Sequence, residues 1–422
     1  MRMVICLLLV SMVITPAFAL DWSMFKKDPS HSGFTTDEVN PPLVVKWTFD
    51  LRFDTDSSPV IVNDVLYIGS NGGIHAIDAK SGRELWRTPT NGFVKSVPTV
   101  VDGVLYIGAD DNRFYAIDTK DGTIKWIYKN STDGYISSAA VVNNLAYAGS
   151  KGGSFYAFDV RIGEPLWETL TGKPIESSPA IGEGIIVFGT NGGVVIALDA
   201  ANGKEKWRYD TGVSDLKSSP AIADGLVVIG SNDGSIYALT AIRGTLKWKY
   251  STGSNVESSP SIKDGTIFVG SKDSNLYSID LNTGMLKWKF AASGFVESSP
   301  AISNDIVYFG SKNNFIYALD ANTGRMLWRN LTGQKDKDYI TSPAISGNML
   351  YAATKGGVVY AYSGVLPPAI ITPTAAPTME VTPTVTETIT PAASPTETKE
   401  APGFGYSLLI LLITILIRAR KK

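Results

Sequence analysis

Tryptophan recurs at positions 47, 86, 126, 167, 207, 248, 288 and 328, at spacings of 39 to 41 residues. Such regularity marks a repeat array, and the text around each tryptophan repeats with it. Units open on Ser57-Ser58-Pro59, Ser177-Ser178-Pro179, Ser218-Ser219-Pro220, Ser258-Ser259-Pro260 and Ser298-Ser299-Pro300. An apolar run such as Val65 to Ser70 follows, then a polar turn, a second run such as Phe315 to Asp320, a glycine turn and a run holding the tryptophan. Each unit thus carries four short strands without helical periodicity, which is one blade of a propeller. A solenoid of helix pairs is disfavoured by the Asn-Gly and Asp-Gly turns and the Val/Ile/Tyr-rich runs. Proline suits the first strand of a blade, the inner edge that faces the channel. After Trp328 only three strands remain, and the missing one stands at the other end as Leu43 to Trp47. The expected fold is all-β: an eight-bladed β-propeller of four-stranded antiparallel blades, its last blade closed by the N-terminal strand.

The ends read differently. Residues 1–19 have a basic Arg2, an apolar stretch from Val4 to Val13 and Ala17-Phe18-Ala19, the pattern of an export signal. Cys6, the single cysteine, falls inside it, which leaves the mature chain without disulfides or a cysteine metal site. Residues 20–43 form a lead-in expected to pack on the ring, and 44–364 are the ring itself. From 365 to 401 the composition turns to Pro, Thr, Ala and Glu, which suits an extended stalk. Residues 402–422 bring Pro402-Gly403-Phe404, an apolar run of about 12 residues and the basic Arg418 to Lys422, short for a full membrane span. With a net charge of −2, the chain has no general attraction for nucleic acid.

The motif Ala-x-Asp-x-x-x-Gly-x-x-x-Trp recurs as Ala76, Asp78, Gly82, Trp86 and as Ala116, Asp118, Gly122, Trp126. It returns as Ala157, Asp159, Gly163, Trp167, as Ala197, Asp199, Gly203, Trp207, and as Ala318, Asp320, Gly324, Trp328. This resembles the tryptophan-docking repeat of the pyrroloquinoline-quinone (PQQ)-type propellers, with Thr240 and Ser278 as departures. The resemblance implies that Trp47, Trp86, Trp126, Trp167, Trp207, Trp248, Trp288 and Trp328 are docking residues of the scaffold. Glycine permits the close approach of an indole, and Asp or Thr bonds the turn amides. The C-terminal 402–422 stretch is similar to an archaeal sorting signal, which implies a cell-surface protein whose tail is exchanged for a lipid.

The PQQ family includes calcium-dependent quinoprotein dehydrogenases, so PQQ and Ca²⁺ are the cofactors an enzymatic reading would require. Every repeat here is near minimal length, with no insertion for a lid and no cysteine pair, and the expectation is a non-enzyme without cofactor, metal or catalytic residues. Only His31 and His75 exist, in different segments, which argues against a two-histidine metal site or a histidine-based triad. Asp110-Asp111-Asn112 and Asn232-Asp233-Gly234 read as hairpin turns, and Asn130 and Asn330 head glycosylation sequons expected in inter-blade loops.

Binding is better sought where blades differ. The residues before the Ser-Ser-Pro motifs include Asp56, Lys95, Glu176, Lys217, Glu257 and Glu297, expected to ring one channel mouth. Arg113, Lys151, Lys272, Lys312 and Lys355 from the middle turns, and the loop aromatics Phe93, Tyr135, Phe295 and Tyr339, are expected on the same face. Aromatics beside mixed charge suit an envelope protein or a glycan. The leading reading is a monomeric propeller at the cell surface, held to the membrane by its tail or an attached lipid. It resembles the bacterial outer-membrane assembly propeller lipoprotein in its bare ring. A PQQ-dependent dehydrogenase and a purely structural envelope component are the alternatives.

Overall fold

The computed structural model describes residues 21–365, except 130, 132, 213–214 and 334–338. The export-signal and sorting-signal readings, at 1–19 and 402–422, lie outside the described residues, as does all of the 365–401 stalk reading except Val365. Eight four-stranded antiparallel blades, each with a three-residue inner strand and an outer strand bearing the tryptophan, make the ring. In blade 1 the order is Val60–Val62, Val65–Ser70, Gly73–Asp78 and Glu84–Thr88. The two middle strands are apolar on both faces because neighbouring blades cover them, and outer strands alternate exposed with half-buried residues. Blade 8 joins the chain ends: Leu43–Asp50 pairs antiparallel with Val358–Gly364, followed inward by Met349–Ala353 and Ala344–Ser346.

Glycine and tryptophan join blade to blade. A Cβ on Gly82, Gly122, Gly163, Gly203, Gly244, Gly284 or Gly324 would overlap the indole of Trp47, Trp86, Trp126, Trp167, Trp207, Trp248 or Trp288 of the preceding blade. Trp47 Nε1 also donates to Ala79 O at 2.9 Å, and Trp207 Nε1 to Ala241 O at 2.8 Å. The motif aspartates close the same turns: Asp78 Oδ1 accepts the Ser81 amide at 2.7 Å, and Thr240 Oγ1 accepts the Thr245 amide at 3.2 Å. Among the described residues no such glycine lies opposite Trp328, which meets Tyr362 edge-on at 5.6 Å.

The paired serines do work that the repeat alone did not reveal. The first hydroxyl staples inner strand to second strand, as Ser57 Oγ does with the Gly69 amide at 3.2 Å and Ser258 Oγ with Gly270 at 3.0 Å. The second hydroxyl accepts a backbone amide from the preceding blade. Ser342 N reaches Ser58, Ser299 N reaches Ser342, Ser259 N reaches Ser299 and Ser219 N reaches Ser259, all within 3.1 Å. Ser178 N to Ser219, Ser138 N to Ser178 and Val97 N to Ser138 continue the circle at 2.9, 3.0 and 2.9 Å. The circle lacks one link, because Val97 stands where a hydroxyl would receive the Ser58 amide. Val97→Thr keeps the shape and supplies that hydroxyl, so it is expected to stabilise the ring by about 1 kcal/mol. Urea unfolding checks this; a lower midpoint would mean that the added hydroxyl finds no partner.

Residues 21–39 occupy one mouth of the channel. The Trp22 pair with Ile61 comes first, then Ser23 O accepts the Val100 amide at 2.8 Å. Pro29, Ser30, Ser32 and Gly33 carbonyls accept from Ile181, Ile222, Ile262 and Ile302, the middle residues of four inner strands. Phe34–Thr35 then runs parallel to Ala301–Ser303. The free inner edges of most blades are thus capped by one segment. Lys26 and His31 are both buried within it, at 3% and 2% exposure. Lys26 Nζ donates to Ser261 Oγ and to Pro300 O, the latter at 2.7 Å, and His31 Nδ1 lies 2.7 Å from Pro220 O. Burial holds the Lys26 pKa well below its ordinary value, against the pull of Asp28. Burial likewise lowers His31 from 6.5 to about 4, outweighing the bond to Pro220.

Two expectations are corrected. Tyr135 is not on a loop surface but fully buried, packed against Phe114 at 5.6 Å. It fills the place above Gly108 that Val94 takes above Gly69 and Ile175 above Gly149, so a packing position was read as a rim position. Asn330 lies in the outer strand Met326–Leu331, where its Oδ1 accepts from Tyr362 Oη at 3.5 Å, and not in an inter-blade loop. Asn130 is outside the described residues.

Candidate binding mouth

The opposite mouth opens where the inner strands begin. Asp56, Lys217, Glu257, Glu297 and Tyr339, from blades 1, 5, 6, 7 and 8, line one cavity of about 220 Å³ there. Contributions from both arcs of the ring place it on the axis. Asp56, Lys217, Glu257 and Glu297 are fixed because each precedes a serine held by at least two hydrogen bonds, whereas Tyr339 precedes Ile340.

A chain of opposite charges runs around this sector. Lys272 Nζ lies 2.9 Å from Glu257 and 3.3 Å from Glu297, and Lys312 Nζ lies 2.9 Å from Glu297. Lys355 Nζ is 3.4 Å from Asp56, whose other contact is the hydroxyl donated by Tyr339. Lys312 sits 5.7 Å from the Phe295 ring centre and 5.5 Å from Tyr339, and Lys355 sits 5.1 Å from Tyr339. Burial opposes the Lys272 charge, but Glu257 and Glu297 outweigh it and raise its pKa. Burial and the Asp56 carboxylate push the Tyr339 hydroxyl well up, so it stays a neutral donor. Phe295 is exposed, and Lys217 has no ion-pair partner among the described residues.

The remaining expected residues stand apart from that cavity. Lys95 pairs with Asp110 at 2.8 Å and lies 5.4 Å from the Phe93 ring centre, with Lys151 at 3.7 Å from the same carboxylate. Arg113 is 3.9 Å from Asp111. Glu176 accepts from Asn191 Nδ2 at 2.8 Å. The face therefore has one compact sector, blades 5 to 1, and two smaller groups, one on blades 2 and 3 and one on blade 4. Asp110 and Asn191 were missed as partners because both sit in hairpin turns whose local bonding explains their presence.

One arrangement imitates a hydrolytic triad. Ser70 Oγ lies 2.9 Å from His75 Nε2, and His75 Nδ1 lies 2.8 Å from Glu84 Oε1. The connectivity matches nucleophile, base and orienting acid. Ser70, however, is fully buried, accepts the Gly72 amide at 2.9 Å and points toward Gly73 O at 3.2 Å. The nearby cavity touches His75 and Glu84 but not Ser70. Ser231 and Ser271 hold the same turn in other blades, accepting the Asp233 and Asp273 amides at 3.2 Å. Ser70 is a turn residue.

A calcium ion does not fit the mouth as built. Its carboxylates are already committed to Lys272, Lys312, Lys355 and Tyr339. Among the described residues no three His, Cys, Asp or Glu side chains are grouped to hold a metal ion.

Ring, docked tryptophans and axial mouth together define the class: an eight-bladed propeller with tryptophan-docked blades. A family model described as "Outer membrane protein assembly factor BamB" (PQQ_2) matches residues 44–178, 151–261 and 252–364, and the chain belongs to that family. It is 24% identical over 214 residues to a quinohemoprotein alcohol dehydrogenase of Comamonas testosteroni, covering 45% of this chain and 25% of that protein. It is 27% identical over 153 residues to the outer membrane protein assembly factor BamB of Burkholderia pseudomallei, covering 36% of this chain and 29% of that one. Among solved structures, BamB from Moraxella catarrhalis superposes with a TM-score of 0.65 at 18% identity, covering 76% of this chain and 98% of that chain. The Comamonas testosteroni dehydrogenase superposes with a TM-score of 0.69 at 14% identity, covering 82% and 81%. The ring is thus similar to enzymes and to an assembly factor alike, and these structural likenesses carry the fold alone.

Proposed function

We propose that this protein is a non-enzymatic propeller of the cell envelope that binds an envelope protein through the mouth formed by Asp56, Lys217, Glu257, Glu297, Phe295 and Tyr339. The observation that carries the reading is the concentration of charge pairs and aromatics on the mouth left uncapped by residues 21–39. Charged side chains already held in place lose little freedom on binding and give a partner a fixed pattern to match. The likeness to BamB supports a protein partner, and the exposed Phe295 beside Lys312 favours a glycan as the second reading. Export through residues 1–19 and attachment through 402–422 belong to the same proposal, and the intact mass of the native protein tests whether the tail is removed.

With the full chain as bait in an envelope extract, Glu257→Lys with Glu297→Lys is expected to reduce partner capture at least tenfold. Unchanged capture would discard this mouth as the binding face. The dehydrogenase alternative predicts that PQQ with Ca²⁺ added to the purified chain yields bound-quinone absorbance and dye reduction; either signal would overturn the non-enzymatic reading.

A further inference from the structure

The outer rim of the ring differs at one blade. Residues on either side of each outer-strand tryptophan are Leu85 and Arg87 in blade 1, Lys125 and Ile127 in blade 2, and Lys206 and Arg208 in blade 4. Blades 5 and 6 have Lys247 with Lys249 and Lys287 with Lys289, blade 7 has Leu327 and Arg329, and blade 8 has Lys46 and Thr48. Blade 3 alone has no basic residue there: Leu166 and Glu168 flank Trp167. Lysine and arginine on an edge strand prevent pairing with another chain, because a second strand would have to bury their charge. Seven blades carry this guard and one does not.

The unguarded strand, Pro165–Leu170, ends its sheet, so its outward amides and carbonyls face solvent. Leu166 and Leu170 are 60% and 76% exposed, and Ile162 in the preceding turn is 63% exposed. They form an apolar row with Glu168 between the two leucines. Glu168 lies beside the Tyr156 hydroxyl and pairs with no Lys or Arg among the described residues. Arg161, next to Ile162, borders a cavity of about 570 Å³ that also touches Lys125 and Trp126 of blade 2.

We infer that the outer strand of blade 3 receives an extended strand of a different protein, whose facing row reads apolar, basic, apolar. Apolar residues would cover Leu166 and Leu170, and a Lys or Arg between them would meet Glu168, while the backbone ladder supplies affinity. A second copy of this chain is the poorer occupant. Two copies pairing through this strand would bring their Glu168 carboxylates together, and the other seven edges are guarded. The inference is independent of the mouth, which lies on the axis rather than the rim.

The test uses the full chain and a fluorescent seven-residue peptide in which threonines alternate with valine, a central lysine and a second valine. Anisotropy should show saturable binding, at least tenfold weaker for Leu166→Lys and for Glu168→Lys, and tenfold weaker for a peptide with glutamate in place of lysine. Glu257→Lys should bind the peptide as the parent does. Thermal unfolding confirms that each variant is folded. Absence of saturable binding, or equal affinity in Leu166→Lys, overturns the inference. So would concentration-dependent dimers in sedimentation that Leu166→Lys abolishes, since the occupant would then be a second copy.

Discussion

Deleting residues 1–50 is expected to abolish the single cooperative unfolding transition of the ring and to produce aggregates in sedimentation. The deletion strips Leu43–Asp50 from blade 8, removes Trp47 from above Gly82 and uncovers Val358–Gly364 as a new edge. It also removes the segment that caps the inner strands. An exposed, apolar strand edge recruits other chains, so loss of closure should appear as association as well as lower stability. A rearranged chain separates these causes. Leu43 lies opposite Gly364, so residues 43–50 joined after Gly364 through a short turn would make an ordinary hairpin. That chain, lacking 21–42, should recover a monomeric ring with a lower midpoint. If it aggregates as the deletion does, the capping segment rather than the strand is what closes the fold.

Acid should weaken the native protein through His31. Its folded pKa is about 4 against an ordinary 6.5, so between these values the unfolded chain binds more protons. Stability therefore falls as pH drops from about 6.5 to about 4, by up to about 3 kcal/mol from this group. His31 has φ 62°, which asparagine tolerates, and an asparagine amide can still donate toward Pro220 O. His31→Asn should remove the loss in that window. Urea midpoints at pH 7 and pH 4 measure it, and parallel curves for parent and variant would rule His31 out as the source.

The ring was legible because the period of its tryptophans cannot arise from anything but repetition. The split of blade 8 was legible too, since a count of strands after Trp328 came up one short. The serine circle was not, although its residues were conspicuous. A hydroxyl that accepts an amide 40 residues away leaves the same trace as one that starts a strand. Lys26 and His31 were invisible for a different reason: they lie outside the repeat, and no pattern distinguishes a buried lysine from a solvated one. Glu257, Glu297 and Tyr339, expected around one channel mouth, line a single cavity. Tyr135 failed because its blade spends that aromatic on covering Gly108.

The strand by which the chain leaves the ring, Val358–Gly364, is not an edge: it lies between Leu43–Asp50 and Met349–Ala353. Val365 is tied further by its amide to Pro42 O at 3.1 Å. Tension applied beyond residue 365 would therefore load two antiparallel ladders in shear. Had the chain ended on the outer strand of its last blade, the same pull would have peeled one ladder bond by bond. Closing the ring with the N-terminal strand thus makes the C-terminal exit a point from which the ring can bear a mechanical load.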